Sequence, residues 1–302
     1  MTIKSSGSSL SFTEIKAEFG NPTNNKFGSY RVSQTIGSLK KLPLDTGIPS
    51  SGPIKFSQFY DKELNIVVKC EGGNRATASW SDGVVVGGFK KKPGRNDTAW
   101  QGGKRVFINI TGTYSSNGAS SSEWAFKTGN SWPDETKMSV VISSDGQVVG
   151  RGGNGGSQSG GNGGNGSNAL RVWSGYEAFN NAGYISGGGG GGGGGGHAEQ
   201  NDWGDKNDAE GGGGGGGNGL PAGSGGSGNE ATSSQDGELT KGGAGKDGEN
   251  DSEAVGGNGG NGGSRNEDFP YHAYDGVNAT GGKNKEEANG NGGEGGKGVE
   301  SY

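Results

Sequence analysis

The feature that most constrains this chain is its glycine. Of 302 residues, 73 are Gly, and the C-terminal half includes an unbroken run from Gly187 to Gly196. Glycine brings no side chain to a hydrophobic core and loses more backbone entropy on ordering than any other residue. With 26% of residues in the hydrophobic set, one conventional core cannot organise the whole length. Residues 1–149 hold 18 glycines and residues 150–302 hold 55, the roughly one-third share found in extended glycine-based structures.

Charge divides at the same place. Residues 1–149 carry 18 Lys/Arg and 12 Asp/Glu, and residues 150–302 carry 9 and 20. An acidic half whose few basic residues form no stripe argues against a nucleic-acid partner. The single cysteine, Cys70, excludes an intrachain disulfide framework. The N-terminus MTIKSSGSSLSF has no apolar region of the signal-peptide kind, and no run of about 18 apolar residues suggests membrane insertion.

Three segments follow from composition. Residues 1–62 form a small polar module in which SLSFTEIKAEFG predicts a short helix, with Ser11 as N-cap, Glu14 completing a capping box and Gly20 as the stop. Phe12, Ile15 and Phe19 of that helix, with Phe56, Phe59 and Tyr60 of a second helix-like piece, are candidates for docking onto a partner. So few large apolar groups make a marginal independent fold. Residues 63–149 read as an all-β domain of about six to eight short strands, with hairpin turns at Asp82-Gly83 and Asp145-Gly146. Trp80, Trp100, Trp124 and Trp132 are expected in its core or rim. From residue 150 onward, glycine tracts near 150–166, 187–196, 211–228, 242–248, 256–264 and 281–298 alternate with polar insertions.

Three structures compete for the tracts. Collagen fails for want of a strict three-residue glycine period with abundant proline, since the chain has 8 prolines. A flexible linker accounts for Gly and Ser but not for aromatic insertions: Trp173, Tyr176, Phe179 and Tyr184 in one, His197 and Trp203 in a second, Phe269, Tyr271, His272 and Tyr274 in a third. A bundle of extended three-residue-per-turn helices of the polyproline II type, here polyglycine II, fits both facts. Such a helix has no internal hydrogen bonds, so its N–H and C=O groups must pair with neighbouring helices that only glycine lets approach. The fold class expected is mainly β and irregular: a small docking module, an all-β domain and a polyglycine-II sandwich over 150–302 with inserted loops.

The stretch VFINITG at 106–112, the strand and glycine repeat SVVISSDGQVVGRGGNGG at 139–156, and YISGGGGGGGGGG at 184–196 resemble the receptor-recognising tail-fibre tip adhesins of T-even-type bacteriophages. The first 62 residues resemble instead short modules that begin virion structural proteins of T4-like and marine phages. The resemblance implies a non-enzymatic protein on the virion tail or another external surface, with other virion proteins and a host bacterial surface receptor as partners. It implies contact with the receptor through loops between the glycine motifs, where the ten aromatic and histidine residues named above are the candidates. The alternative is a purely architectural virion protein of the baseplate, neck or capsid.

Chemistry is sparse. His197 and His272 lie in different insertions without the spaced ligand set of a zinc or hydrolase site, so no metal, cofactor or catalytic residue is expected. The GGAGKDGEN segment at 242–250 begins like a calcium-binding nonapeptide but places Glu249 where a large apolar residue belongs. Its carboxylates, like those at Asp202, Asp205 and Asp208, read as solvated acidic loops.

Overall fold

The computed structural model describes residues 3–22, 26–49, 51–89, 104–117, 122–130, 132–133, 135–158, 160–173, 175–195, 198–202, 205–209, 212–227, 234–246, 273–274 and 299–301. The N-terminal segment contains helix α1 (Phe12–Phe19), the hairpin β1 (Gln34–Ile36) and β2 (Leu39–Leu42), and a 3-10 turn at Phe56–Phe59. The capping box forms as expected, with the Ser11 N–H donating to Glu14 Oε2 at 2.7 Å and the Glu14 N–H donating to Ser11 Oγ at 3.3 Å. Gly20 ends the helix at φ 92°, a conformation that favours glycine.

The β-rich region is a three-faced parallel β-helix. Its first rung is β3 (Asn65–Cys70), β4 (Gly73–Asn74) and β5 (Ala76–Thr77), after which β6 (Gly83–Val85) folds back antiparallel on β3. The second is β7 (Arg105–Ile110), β8 (Thr113–Ser115) and β9 (Trp124–Lys127). The third is β10 (Lys137–Ile142), β11 (Gln147–Val149) and β12 (Asn168–Val172). Equivalent strands stack in parallel register, giving buried columns Ile66–Val106–Met138, Val68–Ile108–Val140 and Cys70–Ile110–Ile142. These columns form the core that the hydrophobic effect stabilises.

Neither expected hairpin turn is one. Asp145-Gly146 forms a corner between β10 and β11, which belong to different sheets, and Gly83 is the first residue of β6. The corner is tight: a Cβ on Gly146 would meet the carbonyl oxygen of Ile110 at 2.6 Å, and one on Gly112 would overlap that of Glu71. Trp124 and Trp132 are buried and Trp80 is half-buried, while Trp100 lies outside the described residues.

Residue 150 does not end the β-helix. Beyond it β13 (Tyr176–Asn181) and β14 (Tyr184–Ser186) add a fourth rung, β17 (Ala273–Tyr274) pairs with β14, and β18 (Val299–Ser301) pairs with β12. The glycine-rich chain is therefore inserted at the corner between the second and third sheets, first in rung three and again in rung four. One antiparallel hairpin, β15 (Ala198–Asp202) and β16 (Asp205–Ala209), belongs to the inserted chain.

The N-terminal segment owes its order to this chain's own β-helix. Ile15, Phe19, Tyr30 and Phe59 are fully buried in one cluster with Leu64 and Ile66. Lys104 Nζ lies 2.8 Å from both carboxylate oxygens of Glu18, and the Leu64 N–H donates to Glu18 Oε1 at 2.7 Å. Of the six docking candidates, Ile15, Phe19 and Phe59 are thus core. Phe12 and Tyr60 are half-buried, and Phe56 is 43% exposed, stacked edge-on to Phe27 at 4.6 Å.

Candidate functional site

The inserted chain forms extended glycine segments bonded to one another at every third residue. Seven occur among the described residues: PG1 (150–158), PG2 (160–167), PG3 (187–195), PG4 (212–219), PG5 (221–227), PG6 (234–238) and PG7 (242–246). In PG1 the N–H groups of Gly150, Gly153 and Gly156 donate to Ser186, Gly189 and Gly192, and those of Gly152, Gly155 and Gln158 to Pro221, Ser224 and Ser227. The carbonyls of Arg151, Asn154 and Ser157 accept from Ser167, Gly164 and Gly161. Gly214 and Gly217 of PG4 donate to the carbonyls of Gly156 and Gly153, so PG1 is bonded to four neighbours at a stride of three, as extended three-residue-per-turn helices require, and nine residues at about 3.1 Å each span about 28 Å.

The sequence of each segment follows from its place in this lattice. PG2, PG1 and PG5 make one layer, and each carries a side chain at every third position: Asn162 and Asn165; Arg151, Asn154 and Ser157; Ser224 and Ser227. Asn154, Ser157, Asn162, Asn165, Ser224 and Ser227 are exposed. PG3, PG4 and PG6 make the next layer. PG3 is glycine throughout 187–195, PG4 is glycine from 212 to 217, and all these residues are buried. A methyl on Gly155 would overlap the carbonyl oxygen of Gly214, and one on Gly191 that of Asn154.

The hydrogen-bond register also defines two ends. Gly150, Gly188, Gly219 and Glu238 lie level with the β-helix, where Leu220 joins PG4 to PG5, 239–241 join PG6 to PG7, and the strands β12 to β14 lie between PG2 and PG3. At the opposite end, Gly160 donates to Gly195, Gly195 to Gly212, Gln158 to Ser227, Ser234 to Gly226 and Lys246 to Gly213. From that far end leave the insertions 196–211 and 228–233 and the chain beyond 246. Gly195, Gly212, Ser227, Ser234 and Lys246 thus stand together at one end of the bundle, remote from the β-helix.

Among the described residues, the candidates Trp173, Tyr176, Phe179, Tyr184 and Tyr274 lie at the β-helix and not at that far end. Residues 167–186, expected as a display loop, contain strands β12, β13 and β14. Trp173 and Phe179 pack partly against the β-helix core, Tyr184 is half-buried, and Tyr176 is 40% exposed, edge-on to Phe179 at 6.4 Å. Tyr274 lies in β17, its backbone paired with Ser186. The 197–210 insertion is at the far end, and its hairpin pairs Ala198 with Ala209 and Asp202 with Asp205. His197, Trp203, Phe269, Tyr271 and His272 lie outside the described residues. The far-end insertion 228–233, between Ser227 and Ser234, was not singled out by sequence, because it carries no aromatic residue.

Among the described residues no group of three His, Cys, Asp or Glu could hold a metal ion, and no helix is long and apolar enough to cross a membrane. Cys70 is buried, which pushes its thiol up to about 12 and leaves it protonated at neutral pH.

A family model described as phage tail fibre adhesin Gp38 matches residues 89–301. Among solved structures, the chain is similar to the crystal structure of the gp37-gp38 adhesin tip complex of the bacteriophage S16 long tail fiber. The identity is 21%, the match covers 85% of this chain and 84% of that one, and the TM-score is 0.36. No curated protein matches. The family match spans most of the chain, including the outer β-helix rungs and the whole glycine bundle that orients the insertions, and the chain belongs to the phage tail fibre adhesin Gp38 family.

Proposed function

We propose that this tail-fibre adhesin binds a host cell-surface receptor through the insertions at the far end of its glycine bundle, with the 197–210 hairpin as principal contact. The observation that carries this reading is the asymmetry of the connections. Apart from 168–186, which builds β12 to β14, one to three residues join the rods at the β-helix end, whereas 196–211 and 228–233 follow rods that end at the far end, where residue 159 makes the one short connection among the described rods. Recognition surfaces are commonly loops held by a rigid scaffold, and Trp203 in the hairpin is the residue type that anchors such contacts. The bundle fixes where the hairpin starts and stops, which lowers the entropy lost when it engages a partner.

In this reading Trp173, Phe179 and Tyr184 serve the β-helix. The third insertion, 265–280, is interrupted by β17 at the β-helix, so recognition rests first on 197–210. Attachment to other tail proteins falls to the N-terminal segment, where Phe56, Phe27 and Phe12 leave apolar surface accessible. The S16 complex joins gp38 to gp37.

Adsorption of phage carrying Trp203→Ser and, separately, Tyr176→Ser tests the assignment. Loss of adsorption with Trp203→Ser and retention with Tyr176→Ser is expected. Normal adsorption of the Trp203→Ser phage would move recognition away from the hairpin. A folded protein with no saturable binding to host cells would favour the purely architectural role.

A further inference from the structure

The seam between PG1 and PG2 is not uniform. The rods pair as 151 with 167, 154 with 164 and 157 with 161, each PG2 N–H donating to the opposite PG1 carbonyl. The PG1 N–H groups at 151, 154 and 157 stand one full turn apart, so they share a direction, toward PG2. At the first pair the Arg151 N–H donates to the Ser167 hydroxyl at 2.7 Å. At the third, the Ser157 hydroxyl itself lies in the seam, where a Cβ on Gly161 would meet it at 2.6 Å. The middle pair has no hydroxyl, since residue 164 is glycine. A Cβ on Gly164 would stand 3.1 Å from the Asn154 nitrogen, and among the described residues that N–H has no acceptor.

A pocket of about 90 Å³ opens at that middle position, lined by Arg151, Gly152, Gly153, Asn154, Gly164 and Asn165. Its volume is that of about three water molecules, room for a single oxyanion group and too little for a sugar ring. Arg151 is pinned beside it: Nη2 donates to Asn154 Oδ1 at 3.3 Å, and that oxygen also accepts from the Ser224 N–H at 3.2 Å. Residues 150–302 carry 20 Asp/Glu against 9 Lys/Arg, yet Arg151 enters none of the ion pairs among the described residues. A pinned guanidinium without a carboxylate, a backbone N–H without an acceptor and a lining free of acidic side chains make this pocket a donor site for an anion.

We infer that this seam pocket binds a phosphate group. A tetrahedral oxyanion accepts hydrogen bonds from several directions at once, which suits a planar guanidinium fork on one rod beside a backbone N–H in the seam. The pocket opens on the solvent side of the layer, where Asn154, Gly164 and Asn165 are exposed. A bound phosphate can therefore be free or be carried on a saccharide of the bacterial surface. The site lies in the first turns of PG1 from the β-helix end, away from the 197–210 hairpin, and does not rest on that hairpin being the receptor contact.

Titration of the isotopically labelled full chain with inorganic phosphate, at constant ionic strength in chloride, tests this through amide chemical shifts. Saturable shifts at Gly153, Asn154 and Gly164 are expected. Arg151→Gln should weaken binding by about tenfold or more, since it removes the charged donor. Gly164→Ser places a hydroxyl against Asn154 as Ser167 places one against Arg151, so it should abolish the shifts and leave the melting temperature unchanged. Glucose phosphate in place of inorganic phosphate separates the two sources. Tighter binding of the sugar ester assigns the site to a phosphate carried on a saccharide, and equal or weaker binding assigns it to free phosphate. Shifts that fail to saturate, that chloride alone reproduces, or that persist undiminished in either variant would overturn the site.

Discussion

Gly191 holds its α-carbon so close to the carbonyl of Asn154 that a methyl group there would overlap the oxygen. The contact repeats through the bundle, and it makes glycine at these positions a packing requirement. Gly191→Ala must spread two rods and weaken the bond from Gly191 N–H to the Gly164 carbonyl, now 2.8 Å. Overpacking and a weakened hydrogen bond together amount to about 3 kcal/mol. Ser157→Ala, at an exposed position of PG1, should change stability by less than about 0.5 kcal/mol. Thermal melts followed by circular dichroism measure both.

Lys104 and Glu18 fasten the N-terminal segment to the β-helix from fully buried positions. Lys104→Met leaves the Glu18 carboxylate in apolar surroundings with the Leu64 N–H as its remaining donor among these contacts, a loss of about 3–5 kcal/mol. The double variant Glu18→Gln, Lys104→Met removes the stranded charge and should recover part of that loss. Denaturant unfolding of the two variants checks the order.

Acid titration should separate two carboxylates of the same segment. Burial raises Asp45 above its ordinary 3.8, against the opposing pull of the Glu63 N–H, Arg105 and Lys62. A raised value means that the stability this group contributes is fully present below 3.8 and is lost as pH rises through the folded value. Asp45→Asn should therefore raise Tm at pH 7, with the gain disappearing below 3.8. Glu14 has the opposite sign: its ion pair with Lys4 and its bonds to Ser11 lower it from 4.5 to about 2. Its contribution is present above 4.5 and fades as pH falls through about 2, so Glu14→Gln should lower Tm slightly at pH 7 and not at pH 2.

Cys70 offers a probe of opening. Its burial inside the column Cys70–Ile110–Ile142 predicts that a thiol reagent at neutral pH labels it only in denaturant. Rapid labelling of the native protein would contradict the packed column.

Much of this architecture is legible in the sequence, and the reasons it fails elsewhere are physical. Helix α1 is legible because Ser11, Glu14 and Gly20 act within one turn of their own backbone. The glycine bundle is legible because ten consecutive glycines alternating with aromatic insertions fit neither a collagen period nor a plain spacer. The β-helix is not, because strand direction depends on which strands meet, and rungs joined by corners of unequal length carry no fixed period. One signal was available: Gly72, Gly112, Gly146 and Gly183 each precede a short strand, 34 to 40 residues apart, and all four occupy the same corner of successive rungs. The candidate site divides for a similar reason. Aromatic content marks 167–186 and 197–210 alike, but only the bonding of Gly195 to Gly212 shows that the second leaves the far end.

The central claim is that recognition resides in the far-end insertions, and the most direct measurement is binding of the purified full-length protein to host cells with residues 197–210 replaced by a Gly-Ser linker of equal length. The replacement leaves PG3 and PG4 intact, so the melt should match that of the unaltered protein. Saturable binding, and the ability to compete with phage for adsorption, should be lost. Undiminished binding by a protein that melts normally would contradict the account and place recognition on another surface of the molecule.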